Sequence, residues 1–134
     1  MKASRNIILL LPLCLAGSSA LAQPPAIFTA AQVQRGQALY PRQCGACHGP
    51  DLEGGTGPAL TGPDFRALAA GQNLTAASLL DIMRQTMPYD APGIDPDADY
   101  NDILAYMLSR LGYPSGSETL SPDNPHLKDL KLAP

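Results

Sequence analysis

The sequence predicts an all-α domain, and three observations carry that expectation. Apolar residues recur at helical spacing in three separate segments, each segment has a recognisable start or stop, and no stretch alternates with the period of two that a half-buried strand requires. Glycine and proline are dense from Gly49 to Gly62 and again beyond Pro114, so these stretches are expected as loop and tail.

The first helix begins after Thr29-Ala30-Ala31-Gln32, in which a threonine and a glutamine three residues on can satisfy each other's backbone donors as a capping box. Val33, Gly36, Leu39 and Tyr40 then share one face, and the helix delivers Cys44 at its end. Thr75 caps a second helix with Leu79, Ile82 and Met83 on one face, closed by Pro88 after Met87. The third has Asp95 as cap, Pro96 in the first position and acidic residues in the first turn. Its stripe is Tyr100, Ile103, Leu104, Met107, Leu108 and Leu111, and Gly112 stops it.

The N-terminus follows the order of an export signal: Lys2 and Arg5, the apolar run Ile7 to Leu15, then small residues ending in Ala20-Leu21-Ala22. Residues 1–22 are therefore expected to be a cleaved signal peptide, with the domain over 23–134 and an extended tail from 113. The apolar run is shorter than the ~20 residues that span a bilayer. Cys14 invites a lipoprotein interpretation, but Pro12-Leu13 stand where lipid attachment wants small residues.

Cleavage would leave Cys44 and Cys47 as the two cysteines, in keeping with the oxidising periplasm. It would also remove Lys2 and Arg5, taking the formal charge from −3 to −5, and so acidic a chain is a poor ligand for nucleic acid.

The chemistry is concentrated in Cys44-Gly45-Ala46-Cys47-His48. C-x-x-C-H is the attachment pattern of a c-type haem: two thiols one helical turn apart can add to two vinyl groups, and the next residue turns an imidazole toward the iron. Cys44 and Cys47 are the expected tethers and His48 the proximal ligand. A closed zinc site would need two more ligands, and the remaining cysteine and histidine are Cys14 and His126. A redox-active dithiol would be expected beside a βαβ pattern, which is missing around Cys44. The motif occurs once, so one haem is expected, and a buried porphyrin would supply apolar material that an aromatic content of 5% does not.

Met83, Met87, Met107 and His126 are the candidates for the sixth iron ligand. Met83 and Met107 fall on apolar helical stripes and are expected as core. Met87 lies past the second helix, and Pro88 restricts it to an extended conformation suited to reaching inward from a loop. A soft thioether there would suit an electron carrier; an open site would suit a haem enzyme or ligand sensor, such as a small peroxidase.

The chain resembles the class I cytochrome c family over essentially all of residues 23–134. The resemblance rests on order: Gly36 and Tyr40, Cys44 to Gly49, Gly57-Pro58-Ala59-Leu60, Met87-Pro88, then Ile103-Leu104-Ala105-Tyr106. It implies a cytochrome c fold in which the first and last helices cross at Gly36 and Tyr106. It also implies that the Pro58 carbonyl orients His48, that Leu60 packs on the porphyrin and that Met87 is the axial methionine.

Arg42, Arg66, Arg84, Tyr40, Tyr89 and Tyr100 are candidates to meet the propionates. Gln85 to Gly93 and Gly112 to Gly116 are similar, more narrowly, to small bacterial cytochromes that accompany periplasmic quinoprotein dehydrogenases. The function implied is that of a monomeric periplasmic carrier of single electrons, not an enzyme. Its redox partners would be such a dehydrogenase as donor and a terminal oxidase or another cytochrome as acceptor.

Overall fold

The computed structural model describes residues 23–133, and the expected signal peptide with Cys14 lies outside them. The helices are α1 (Ala30–Gln43), α2 (Gly45–His48), α3 (Gly62–Gly71), α4 (Ala76–Thr86) and α5 (Asp97–Arg110), followed by a 3₁₀ turn at Pro125–Lys128. Among the described residues there is no strand, only one isolated bridge between Thr75 and Lys131. None of the described helices is long and apolar enough to cross a membrane.

The capping box of α1 forms as expected: Gln32 N–H donates to Thr29 Oγ1 at 3.2 Å, and Thr29 N–H donates to Gln32 Oε1 at 3.3 Å. The same glutamine is buried and holds the tail, donating from Nε2 to the Leu120 carbonyl at 3.0 Å and accepting from Leu120 N–H at 2.8 Å.

Helices α1 and α5 cross in direct backbone contact. A Cβ at Gly36 would collide with the Asp102 carbonyl and come within 2.9 Å of Tyr106 Cβ, so only glycine permits the approach. Tyr40 and Tyr106 pack beside it with ring centroids 5.6 Å apart and planes tilted by 57°. Arg35 closes the edge with two hydrogen bonds to the Asp102 carboxylate, at 2.5 and 2.9 Å. Asp102 is buried and would be costly there without its cation.

Three expectations are corrected. On α4 the buried set is Ala76, Leu79, Leu80 and Met83, the i, i+3, i+4, i+7 series, and Ile82 falls outside it at 38% exposure. Helix α5 is capped by Pro96 and begins at Asp97; the Asp95 carboxylate instead accepts a 3.0 Å hydrogen bond from Gln43 Nε2. All residues from Tyr100 to Leu108 are buried, so α5 is a central helix covered on every side, not one with a single apolar stripe.

The tail packs back against the domain. Leu120, Leu127, Leu130 and Leu132 are buried, and the Leu130 carbonyl accepts from Ala76 N–H at 2.9 Å while Leu132 N–H donates to the Leu74 carbonyl at 3.1 Å. Gly116 N–H reaches the Phe28 carbonyl at 2.8 Å. The tail therefore straps the segment before α1 to the start of α4.

Helix α3 was not expected. It has Pro63 and Asp64 in its first turn but buries only Phe65 and Ala69, one turn apart, which is too sparse a stripe to stand out in the sequence.

Candidate functional site

Cys44 ends α1 and starts α2. Its N–H donates to the Tyr40 carbonyl at 2.9 Å, and its own carbonyl accepts from Cys47 N–H at 3.2 Å and His48 N–H at 3.0 Å. This single turn puts Cys44 and Cys47 on neighbouring positions of one helical face, and they are not joined in a disulfide. Cys44 is half-buried, whereas Cys47 is exposed. Burial, and then the charges of Asp95 and Cys47, push the Cys44 thiol up to about 11.

The chain then turns back under α2. Gly49, with φ of 79°, ends the turn, and its carbonyl accepts from the buried Tyr40 hydroxyl at 2.8 Å. Gly54 N–H reaches the His48 carbonyl and Gly57 N–H the Cys47 carbonyl, at 2.8 and 2.9 Å. This brings Pro58 beside the imidazole: His48 Nδ1 lies 2.8 Å from the Pro58 carbonyl oxygen. A carbonyl only accepts, so Nδ1 carries the proton and the Nε2 lone pair is left available for a metal.

Gly57 is shaped around the same ring, since a Cβ there would lie 2.9 Å from His48 Cε1 and 3.0 Å from Nδ1. Leu60 is half-buried against the core and donates its N–H to the Leu52 carbonyl at 2.8 Å.

Met87 caps the C-terminus of α4 in extended conformation, with φ of −124° and ψ of 149°. Its N–H donates to the Met83 carbonyl at 3.1 Å, and its carbonyl accepts from the Tyr100 hydroxyl at 2.7 Å and Gly93 N–H at 3.3 Å. The half-buried Met87 is thus held on both sides of its peptide. Met83 and Met107 are buried in the core. His126 is exposed in the 3₁₀ turn that packs on α4. The tail meets the start of that helix and Met87 leaves its end, about 16 Å along the axis.

The propionate candidates separate. Tyr40 and Tyr100 spend their hydroxyls on the Gly49 and Met87 carbonyls, and Arg84 pairs with Asp97 at 2.8 Å. Arg42, Arg66 and Tyr89 are exposed. Sequence reasoning missed the roles of Tyr100, which bonds to the end of the preceding helix, and of Gln43, whose partner Asp95 lies 52 residues away.

The donor set fits a covalently bound haem: two cysteines one turn apart, an imidazole pinned at Nδ1 with a glycine cradle against it, and a thioether on a firmly held loop. A family model described as cytochrome c oxidase, cbb3-type, subunit III matches residues 31–107, more than half of the chain. No curated protein and no solved structure gave a match. The matched span runs from α1 to α5 and contains Cys44, Cys47, His48, Pro58, Leu60 and Met87. The chain therefore belongs to this family of c-type cytochromes, with the class I cytochrome c domain, its covalently bound haem c and its role in electron transfer.

Proposed function

We propose that the chain is a periplasmic carrier of single electrons with histidine and methionine as axial ligands. The observation that supports it most is the His48–Pro58 contact, which fixes one tautomer and one ring orientation. Cys44 and Cys47 are the tethers, His48 Nε2 and the Met87 sulfur the metal ligands, and Leu60 an apolar neighbour of the porphyrin. When bound, the haem supplies an iron that stores and releases one electron.

The protein's part is to hold both ligands still. Pro58 and Gly57 restrain His48, and Tyr100 and Gly93 restrain Met87, so either oxidation state meets the same donors and little structure has to rearrange. No substrate is transformed. Residues 1–22 are proposed as the export signal, cut near Ala22, with 23–134 as the domain that functions as a monomer. Its partners are redox proteins, with a periplasmic quinoprotein dehydrogenase as donor and a terminal oxidase or another cytochrome as acceptor, and not nucleic acid.

An optical spectrum combined with a redox titration of the exported holoprotein tests this. Low-spin ferric iron, one reversible one-electron wave and no ready uptake of cyanide are expected. High-spin ferric iron that binds cyanide readily would replace the carrier with an open-site haem enzyme.

A further inference from the structure

The negative charge of the domain is concentrated on one segment. Between Asp81 and Asp99 five carboxylates face one cation, Arg84, whereas the rest of residues 23–134 carries six basic and seven acidic side chains. Asp81, Asp95 and Asp97 line a groove together with Arg84, Gln85 and Gly93, between the end of α4 and the loop that follows Met87. Arg84 is committed to Asp97, and neither Asp81 nor Asp95 has an ion-pair partner among the described residues. Burial, and then the charge of Asp99, raise the Asp95 carboxyl above its ordinary value.

The same loop carries the two most exposed large apolar side chains of the described residues, Tyr89 at 88% and Ile94 at 69%. Their exposure is not the result of a loose loop. Ala91 N–H donates to the Pro88 carbonyl at 3.0 Å, Gly93 N–H to the Met87 carbonyl at 3.3 Å and Ile94 N–H to the Ala91 carbonyl at 3.3 Å. A firmly built loop that presents apolar side chains beside an acidic groove has the anatomy of an interface with an apolar centre and a charged rim.

We propose that Tyr89 and Ile94, with the groove of Asp81 and Asp95 and the neighbouring Asp90, form the docking face for a redox partner protein whose contact patch is apolar at its centre and rich in lysine or arginine at its rim. The assignment rests on the electron-carrier function proposed above, in which Met87 at the root of this loop is the axial ligand. Opposite charge would steer encounter and set orientation, and two apolar side chains would hold the complex only briefly, as turnover of a carrier requires.

The test uses the reduced holoprotein and tris(1,10-phenanthroline)cobalt(III), a trivalent cation with apolar aromatic faces, as a partner mimic. One electron passes from ferrous iron to cobalt(III), leaving ferric iron and cobalt(II). The rate is expected to fall about tenfold between low and high salt, as steered encounters do. At low salt, Asp81→Asn with Asp90→Asn should lower it several-fold, while Asp123→Asn with Asp129→Asn in the tail should keep the parent rate. At high salt, where charge is screened, Tyr89→Ser with Ile94→Ser should still lower it. Amide shifts on titration with tetralysine should map to residues 81–99.

Equal loss of rate in the tail pair, or tetralysine shifts confined to the tail, would overturn the docking face. So would dimerisation in sedimentation that the Tyr89 and Ile94 changes abolish, which would make a second copy the occupant. Failure of the carrier function itself is distinguishable: it would appear at an electrode, with no added oxidant, as the absence of a reversible one-electron wave.

Discussion

The Tyr100 hydroxyl donates a 2.7 Å hydrogen bond to the carbonyl oxygen of Met87, tying the first turn of the domain's most buried helix to the residue that leaves α4. Tyr100 is itself only 3% exposed, and the bond sets where the half-buried Met87 peptide sits.

Removing that hydroxyl should loosen the methionine without displacing the ring. Tyr100→Phe is expected to cost about 1 kcal/mol in urea unfolding, the net worth of one such hydrogen bond. If Met87 is the sixth ligand, the same change should raise the affinity of the ferric protein for imidazole by about fivefold, the equivalent of that energy. Imidazole binding at the parent affinity would show that the bond serves the fold alone.

Gly57→Ala places a methyl group against the His48 ring, 2.9 Å from Cε1. Either the ring turns away from Pro58 or the loop moves, at a cost of roughly 1–3 kcal/mol for overpacking. The expected readout is a changed reduction potential together with shifted imidazole proton resonances in the NMR spectrum of the holoprotein. A potential and resonances identical to the parent would mean that the loop yields freely and does not orient His48.

Cys44→Ser and Cys47→Ser should each leave one tether. The pyridine haemochrome spectrum of either single variant should shift toward that of a haem with one unsaturated vinyl group, and the double variant should release its haem into acidified organic solvent. Haem that stays covalently attached in the double variant would place the attachment elsewhere.

How far the sequence discloses the structure follows from the range of the interactions involved. Local ones are legible: Thr29 with Gln32 and Thr75 with Ser78 form capping boxes within four residues, and the turn from Cys44 to His48 is encoded by its own spacing. The crossing at Gly36 and Tyr106 and the Pro58 contact to His48 were accessible through the family resemblance, because neither is implied by periodicity.

Interactions over long sequence separations were not legible. Asp95 looks like a cap until Gln43, 52 residues away, claims its carboxylate. Nothing in the spacing of Leu120, Leu127, Leu130 and Leu132 names their partner, and only the start of α4 and the Phe28 region explain their burial. The α5 stripe widened to a full circumference because α1 and α4 both pack against that helix, which no pattern within α5 reveals.

The central claim is that the Met87 sulfur is the distal iron ligand, and the near-infrared charge-transfer band of ferric iron bound to thioether reports it most directly. Met87→Ala should abolish that band and lower the reduction potential, since axial-ligand identity is one lever on the ~0.8 V span of haem potentials. The same substitution at the buried Met83 or Met107 should keep the band and cost packing energy of about 2–5 kcal/mol. A Met87→Ala holoprotein that retains the band and the parent potential would contradict the assignment.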